Sequence, residues 1–359
     1  MTEIFKVDPL NPSTDILERC ARILRSGGLV VFPTETVYGL GANAFNPASV
    51  RRVYEIKQRP LDNPLIVHIS SFKQLELVVS EVPENVWKLI KAMWPGPLTI
   101  VLRKSQKVPD IVTAGLPKVG VRMPAHPVAL KLIELADTPV VAPSANISGK
   151  PSPTIAEHVI QDLYGRVDAI IDTGETLLGI ESTVVDLTSE PPTLIRAGPV
   201  SIEALEKLLG IRISVPAHVR GLKKETRVPR GRYPHYEPGI PLILIEADNY
   251  SDLGRLAEEV VKVAKKYLST GHKIAIIASK ETLQYYSSLS GIKLISLGSR
   301  NRLYEVAKNL FKVLRSLSSL NVDVAICEGF EEKGLGLAIM SRLREASRQN
   351  IIRVSTSTV

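Results

Sequence analysis

Lys57-Gln58-Arg59-Pro60 places two cations two residues apart, directly before a proline. The pyrrolidine ring disfavours the α region at Arg59, so a helix ending here is expected to pass into extended chain. Residues two apart in extended chain point to one side, and Lys57 with Arg59 would then clamp phosphate oxygens. Other polar clusters also stand beside apolar runs of strand length. Thr34-Glu35-Thr36-Val37-Tyr38-Gly39 follows the run 29–32, and its hydroxyls and glycine allow a small ligand to come close. His68 lies inside the run 65–69. Arg122 lies inside 119–123, where a guanidinium needs a carboxylate from the protein or from a substrate. Ser144, Asn146, Ser148 and Ser152 crowd the loop after 139–142, and Ser182 and Arg196 border two further runs. Hydroxyls and cations at strand ends suit a phosphorylated ligand in an open sheet. Each signal has a bland counterpart: a solvated helix end for Lys57 and Arg59, a satisfied core histidine for His68.

Several other chemistries lose support. The chain has no GxSxG elbow and no HExxH, its six histidines are scattered, and Cys20 and Cys327 are too far apart for a CxxC site or a disulfide framework. The segment 144–151 has the outline of a phosphate-binding P-loop. It carries Ser144 in place of the first glycine, however, and Pro151 in place of the closing Ser or Thr. No GxGxxG follows the apolar run 242–246, so no dinucleotide site is expected.

The elements that must position these residues alternate in α/β fashion. Ser13 can cap a helix whose stripe is Ile16, Leu17, Cys20, Ile23 and Leu24, with Gly27-Gly28 as its stop. A second helix is expected from Pro47 to about Lys57. Strands are expected at 29–32, 65–69, 98–102, 119–123, 139–142, 167–171, 182–187 and 193–196, with helical segments at 84–93 and 128–136 and a short helix from Ser201. From 211 to 240 the chain is rich in proline and in Lys and Arg, with no periodicity, and reads as a linker. Beyond it, strands at 242–246, 273–278, 293–297 and 322–327 alternate with helices at 251–268, 281–288, 304–316 and 337–346, the pattern of a parallel sheet. At about 150 residues per domain, 359 residues suit this division into 1–210, a linker 211–240 and 241–359. With 44% hydrophobic and 23% charged residues, wholesale disorder is excluded. The first ten residues are too polar for a secretory signal, and no apolar run approaches the ~18 residues of a membrane span. A soluble, cytoplasmic protein is expected. The formal net charge of +8 fits an anionic ligand or nucleic acid as well as a plain solvated surface.

The motifs Pro33-Thr34-Glu35-Thr36-Val37-Tyr38-Gly39-Leu40, Lys57-Gln58-Arg59-Pro60, Trp94-Pro95-Gly96-Pro97-Leu98-Thr99 and Gly120-Val121-Arg122-Met123-Pro124 occur in that order. They are followed by Pro143-Ser144-Ala145-Asn146-Ile147-Ser148-Gly149, Ser182-Thr183-Val184-Val185-Asp186 and Arg196-Ala197-Gly198. Together they cover most of residues 15–200, and the chain resembles the L-threonylcarbamoyladenylate synthase family in its long, two-domain form. Pro234-His235-Tyr236-Glu237-Pro238 resembles the family's linker signature, with Pro234 where many members have Arg and Glu237 where many have Ala. Gly334-Leu335-Gly336-Leu337-Ala338 resembles a signature of its second domain.

The resemblance implies a twisted α/β YrdC-like domain with a concave cationic site, linked to a smaller C-terminal Rossmann-like parallel domain. It implies condensation of L-threonine, bicarbonate and ATP into threonylcarbamoyl-adenylate and pyrophosphate, with Mg²⁺ entering on ATP. The product would feed a separate tRNA threonylcarbamoyl transferase machinery that modifies adenosine 37. Contact with tRNA itself is an option for the basic surface. Carried over residue by residue, Thr34, His68, Arg122, Ala142 and Ser182 would hold threonine, with Arg122 on its carboxylate. Lys57, Arg59, Asn63, Lys118, Ser144, Asn146, Ser152 and Arg196 would line the nucleotide, with Lys57 and Arg59 catalytic. His235 and Tyr236 would close over it from the linker as a lid. Two alternatives stand beside this reading. One is a non-catalytic RNA-binding module, which the 5% aromatic content disfavours because such modules stack bases on aromatic rings. The other is a carbamoyltransferase-type domain, whose relatives carry zinc-binding and acylphosphatase-like regions that have no counterpart in this sequence.

Overall fold

The computed structural model describes residues 1–222 and 235–355, which divide into two compact units. The first comprises Met1–Ser148 and Ser152–Pro216; the second comprises Gly149–Pro151 and the residues from Ala217 onward. Among the described residues no helix is long and apolar enough to cross a membrane.

In the first unit, α1 (Thr14–Arg25) buries Leu17, Cys20, Ala21 and Leu24, the stripe read from the sequence. It packs with the helix α3 (Pro127–Ala136) over Val30, Phe32, Ala169 and Ile171. Between them in the chain, α2 (Pro47–Lys57) is capped by Asn46, whose side chain accepts from Ala48 N and Ser49 N, with Pro47 opening the first turn. The strands are β1 (Glu3–Lys6), β2 (Val30–Phe32), β3 (Gly39–Asn43), β4 (Ile66–His68), β5 (Leu98–Arg103), β6 (Lys118–Arg122), β7 (Val140–Val141), β8 (Ala169–Asp172), β9 (Thr183–Asp186) and β10 (Thr193–Arg196). They form one mixed sheet in the order β1-β8-β2-β3-β7-β4-β6-β5-β9-β10.

Two of these strands escape the sequence reading. β1 is short, only Glu3-Ile4-Phe5-Lys6, and lies at the sheet edge. β3 reads as a glycine-rich turn, yet it pairs antiparallel with β2, Val30 opposite Gly41 and Phe32 opposite Gly39. The Phe32 ring explains the glycine. A Cβ on Gly41 would lie 2.7 Å from Phe32 Cε1 and 2.9 Å from Val30 O.

The extended chain expected at Lys57–Arg59 is not formed. Gln58 is left-handed (φ 52°, ψ 41°), and the Arg59 amide closes the helix on Tyr54 O at 2.9 Å. A helix C-terminus satisfying its last carbonyls has outweighed the bias imposed by Pro60. Residues 211–216, read as the start of a linker, join the first unit: Leu194 N donates to Ser214 O and Ser214 N to Pro192 O, both at 2.8 Å.

In the second unit, β11 (Leu242–Ala247), β12 (Ile274–Ser279), β13 (Ile292–Gly298), β14 (Val324–Glu328) and β15 (Ile351–Val354) form an all-parallel sheet in the order β13-β12-β14-β11-β15. Helices α4 (Leu253–Ser269), α5 (Leu303–Ser316) and α6 (Leu335–Ala346) separate the strands. Leu256, Val260 and Ala264 of α4 bury against Ile243, Ile245, Ile274, Ile276 and Ile326. This is the Rossmann-like parallel domain the apolar runs predict, with β15 added.

Gly41→Ala should force the Phe32 ring or β2 to move. Overpacking of this kind costs about 1–3 kcal/mol, and the urea midpoint of the full chain should fall with its slope unchanged.

Candidate active site

The first unit carries a cleft with about 560 Å³ of empty space, open solvent at its mouth included. β4 lies across its floor, where Ile66 and His68, two apart, face the same way. β6 runs parallel to β4 with Arg122 opposite His68, and β7 runs antiparallel with Val141 opposite Val67, which brings Ala142 to the other end of the floor. Ser144 follows β7, Ser182 immediately precedes β9 rather than following a strand, and Arg196 ends β10. The sheet therefore gathers Thr34, Arg59, His68, Arg122, Ala142, Ser144, Ser182 and Arg196 into one lining.

Arg122 is 4% exposed and needs compensation within the protein. Glu35 Oε1 lies 2.6 Å from one terminal nitrogen, an ion pair rather than an aligned hydrogen bond. The other terminal nitrogen donates to Thr36 Oγ1 at 2.9 Å, and Nε donates to Gly96 O at 3.2 Å. The Trp94-Pro95-Gly96-Pro97 turn thus serves to aim a carbonyl at the guanidinium. Thr34 Oγ1 shares a hydrogen bond with Thr36 Oγ1 (2.8 Å) and donates to Val37 O (2.7 Å), bracing the same loop. Arg196 is held by Ser182, with Nε to its carbonyl and a terminal nitrogen to its hydroxyl, both at 2.9 Å; that hydroxyl also bonds Thr99 Oγ1 at 2.8 Å. Arg59 donates to Asn63 O (3.0 Å), Asn63 Oδ1 (2.6 Å) and Pro64 O (2.9 Å), so Asn63 orients an arginine that faces the cleft.

Some expected residues stand elsewhere. Lys57 is 2% exposed, and its ammonium donates to Ser144 O (2.5 Å) and Asn146 O (2.6 Å) instead of facing the cleft beside Arg59. The left-handed Gln58 turns the two cations apart; Lys57 fixes the loop that carries Ser144, and Asn146 supplies one of its carbonyls. Lys118 lies at the opposite end of β6 from Arg122, its Nζ 2.5 Å from Asp186 Oδ2, and does not line the cleft. Ser152 is buried, and its hydroxyl donates to Glu181 Oε1 at 2.6 Å. His235 and Tyr236 belong to the second unit, where Tyr236 stacks on Phe311 with ring centroids 4.9 Å apart. Residues 223–234 of the expected linker and lid, among them Lys223, Lys224, Arg227, Arg230, Arg232 and Pro234, lie outside the described residues. Three contributors went unassigned from sequence: Glu35, Thr36 and Glu181. Their signal was adjacency, each standing beside a residue already singled out.

His68 is held neutral. Burial, then the positive Arg122 and more weakly Arg196, bring its pKa down from 6.5 to about 3, against a backbone contact with Ile66 that raises it. Its Nδ1 is buried and without a hydrogen-bond partner among the described residues. Burial also pushes Tyr38 up to about 12, and its hydroxyl donates to Gly174 O at 2.7 Å. The arrangement is a cationic, hydroxyl-lined cleft with a neutral imidazole on its floor. It can orient anions and neutralise charge, and among the described residues no serine–histidine hydrogen bond is formed there for covalent catalysis.

Residues 22–198 match the family model described as "Telomere recombination", and residues 200–347 match "Threonylcarbamoyl-AMP synthase, C-terminal domain". The threonylcarbamoyl-AMP synthase of Pyrococcus abyssi is 48% identical over 335 residues, 93% of this chain and 94% of that protein. That of Bacillus subtilis is 42% identical over 351 residues, 96% of this chain and 97% of its own. The crystal structure of P. abyssi Sua5 complexed with L-threonine matches with a TM-score of 0.90 at 46% identity, covering 98% of this chain and 100% of that one.

The unfolded chain takes up the His68 proton near pH 6.5, the folded chain only near pH 3. Unfolding therefore gains a proton in that window, and stability falls as pH drops through it, by about 1.4 kcal/mol per pH unit. In His68→Asn this component of the slope should vanish in urea titrations between pH 7 and 4. In the wild-type protein, NMR should show no titration of the His68 ring above about pH 4.

Proposed function

The chain belongs to the threonylcarbamoyl-AMP synthase family, and from that premise we propose that its cleft condenses L-threonine, bicarbonate and ATP into L-threonylcarbamoyladenylate and pyrophosphate. The observation that carries this reading is the convergence of Arg59, Arg122 and Arg196 with Ser144 and Ser182 on one small cleft. Every step of the reaction concerns anions: a threonine carboxylate, bicarbonate, a carbamate and a triphosphate. The binding of L-threonine by the P. abyssi relative supports threonine as the amino acid.

Arg122 takes the threonine carboxylate, with Thr34, Ser182, His68 and the Ala142 backbone around the rest of the amino acid. Arg59, oriented by Asn63, and Arg196 meet the phosphates together with Ser144. Lys57, Asn146 and Ser152 act by holding the walls, and Lys118 acts at most through Asp186. Carboxylation of the threonine amine gives a carbamate whose oxygen attacks the α-phosphorus, and pyrophosphate leaves. The nucleophile is the substrate's own, so the protein supplies positioning and charge neutralisation. Mg²⁺ enters on ATP as part of that substrate. Among the described residues no group of three or more His, Cys, Asp or Glu side chains could hold a metal ion. The product is an activated threonylcarbamoyl group, which a separate transferase passes to N6 of adenosine 37 in tRNA.

Pyrophosphate release from ATP should require both threonine and bicarbonate, each omitted in turn; release that ignores either one refutes the reading. Arg59→Ala removes charge-assisted bonds worth about 1.5–3 kcal/mol each and should lower turnover at least roughly tenfold in a folded protein. Valine should be rejected far more strongly than serine. It leaves the partner of the hydroxyl unpaired, whereas serine loses a methyl contact worth about 1–3 kcal/mol. Competition assays of pyrophosphate release with the three amino acids check this order.

A further inference from the structure

The charges around the cleft are unequal. Arg59, Arg122 and Arg196 line it, and among the described residues of that lining Glu181 carries the one carboxylate. Threonine arrives as a zwitterion: its carboxylate has arginines to meet, and its ammonium needs an anion in the same space. That ammonium must also lose a proton before its nitrogen can attack carbon. On the reading above, we propose that Glu181 is a catalytic residue whose carboxylate receives the threonine ammonium and accepts the proton it gives up.

The surroundings fix this carboxylate in place. Glu181 is 6% exposed, and the buried Ser152 hydroxyl donates to its Oε1 at 2.6 Å, which restrains that oxygen. The next residue, Ser182, is bonded by Arg196 and Thr99, so the turn into β9 is held from two sides. Gly198 packs against the same main chain: a Cβ there would lie 2.7 Å from Glu181 O and 2.3 Å from Thr183 N. Glu35, the other buried carboxylate nearby, is paired to Arg122 and does not line the cleft. Arg122 and Glu181 thus bring opposite charges to one cleft.

The step balances without a further reagent. The ammonium gives one proton to Glu181, leaving an amine and a carboxylic acid. The amine lone pair forms the bond to the carbon of bicarbonate. The bond from that carbon to its hydroxyl oxygen breaks, and the hydroxyl leaves as water with a second proton from the nitrogen. A carbamate remains, and Glu181 returns its proton to solvent.

The test uses the full chain, following pyrophosphate release between pH 6.5 and 9.5 and binding of L-threonine against 3-hydroxybutanoate, which lacks the amine. Wild-type release that does not depend on threonine and bicarbonate refutes the reading of the reaction, separately from the role of Glu181. Where that dependence holds, Glu181→Gln should lower turnover about 10²-fold near pH 7. The deficit should narrow as pH rises and free threonine loses its own proton. The same variant should lose at least roughly tenfold of the preference for threonine over 3-hydroxybutanoate. Glu181→Asp, which keeps an acid, should restore the wild-type pH dependence at a reduced rate; this second variant serves if Glu181→Gln does not fold. A Gln variant with the wild-type pH profile, at full or uniformly reduced rate, overturns the proposal. So does a retained preference for the amine, or an Asp variant whose activity appears only at high pH.

Discussion

A guanidinium inside an apolar strand must be compensated, and in this protein that constraint falls on Arg122. An unpaired buried charge costs several kcal/mol, so β6 could not hold this residue without Glu35 at 2.6 Å and the acceptors Thr36 and Gly96. Three of the sequence motifs find their purpose here. The Thr34–Tyr38 loop supplies the anion and a hydroxyl, the Trp94–Pro97 turn supplies a carbonyl, and β6 supplies the cation itself. Buried pairs of this kind add little net stability. What this one provides is a cation whose position is settled before any ligand arrives, which is what electrostatic preorganisation requires.

The remaining cations are fixed in the same manner by different means. Asn63 and Pro64 hold Arg59, Ser182 holds Arg196, and Lys57 is buried to tie down the loop that carries Ser144. These partners are neutral oxygens, which orient a cation without cancelling its charge. The neutrality of His68 follows from the same field: burial and two positive neighbours leave no place for another cation on the floor. The cleft is therefore a region where positive charge is imposed by hydrogen-bonded side chains and where an anionic ligand would relieve the repulsion.

The legible part of this arrangement was what local pattern determines. Helix α2 runs from Pro47 to Lys57 as the sequence pattern predicts, and the apolar runs around His68, Arg122 and Arg196 are strands. The cluster of site residues at strand borders was visible because polar residues beside β-branched runs are conspicuous. The rest depended on contacts far apart in sequence. Nothing near Lys57 announces the carbonyls of Ser144 and Asn146, and the αL turn at Gln58 was misread because Pro60 argued for extension. β3 was missed because its glycines are set by the Phe32 ring across the hairpin. Glu35 and Glu181 were passed over for the same reason: a carboxylate acquires its role from the partner it meets, Arg122 in one case and the cleft in the other.

Placement at the end of a strand is not by itself enough to make a site, as the second unit demonstrates. Arg300 follows β13 and lies beside the ends of β12 and β14, a position where open α/β sheets bind ligands. Its guanidinium donates to Ser279 Oγ, Gly329 O and Glu328 Oε2 at 2.7–2.9 Å, and the rings of Phe330 and Tyr250 lie 4.5 Å and 5.4 Å from its carbon. Glu328 is fully buried and also accepts from Tyr286, Ser279 Oγ and the Ser279 amide. Protein groups surround this pair, so the same residue types that build a cleft in the first unit build a brace in the second. The difference lies in surroundings. Arg59, Arg122 and Arg196 line one cleft, whereas the Arg300 guanidinium is spent on Glu328, Ser279 Oγ and Gly329 O beneath the Phe330 ring. In the first unit the sheet leaves fixed charges facing a space that a substrate can enter, and that opening is what chemistry there requires.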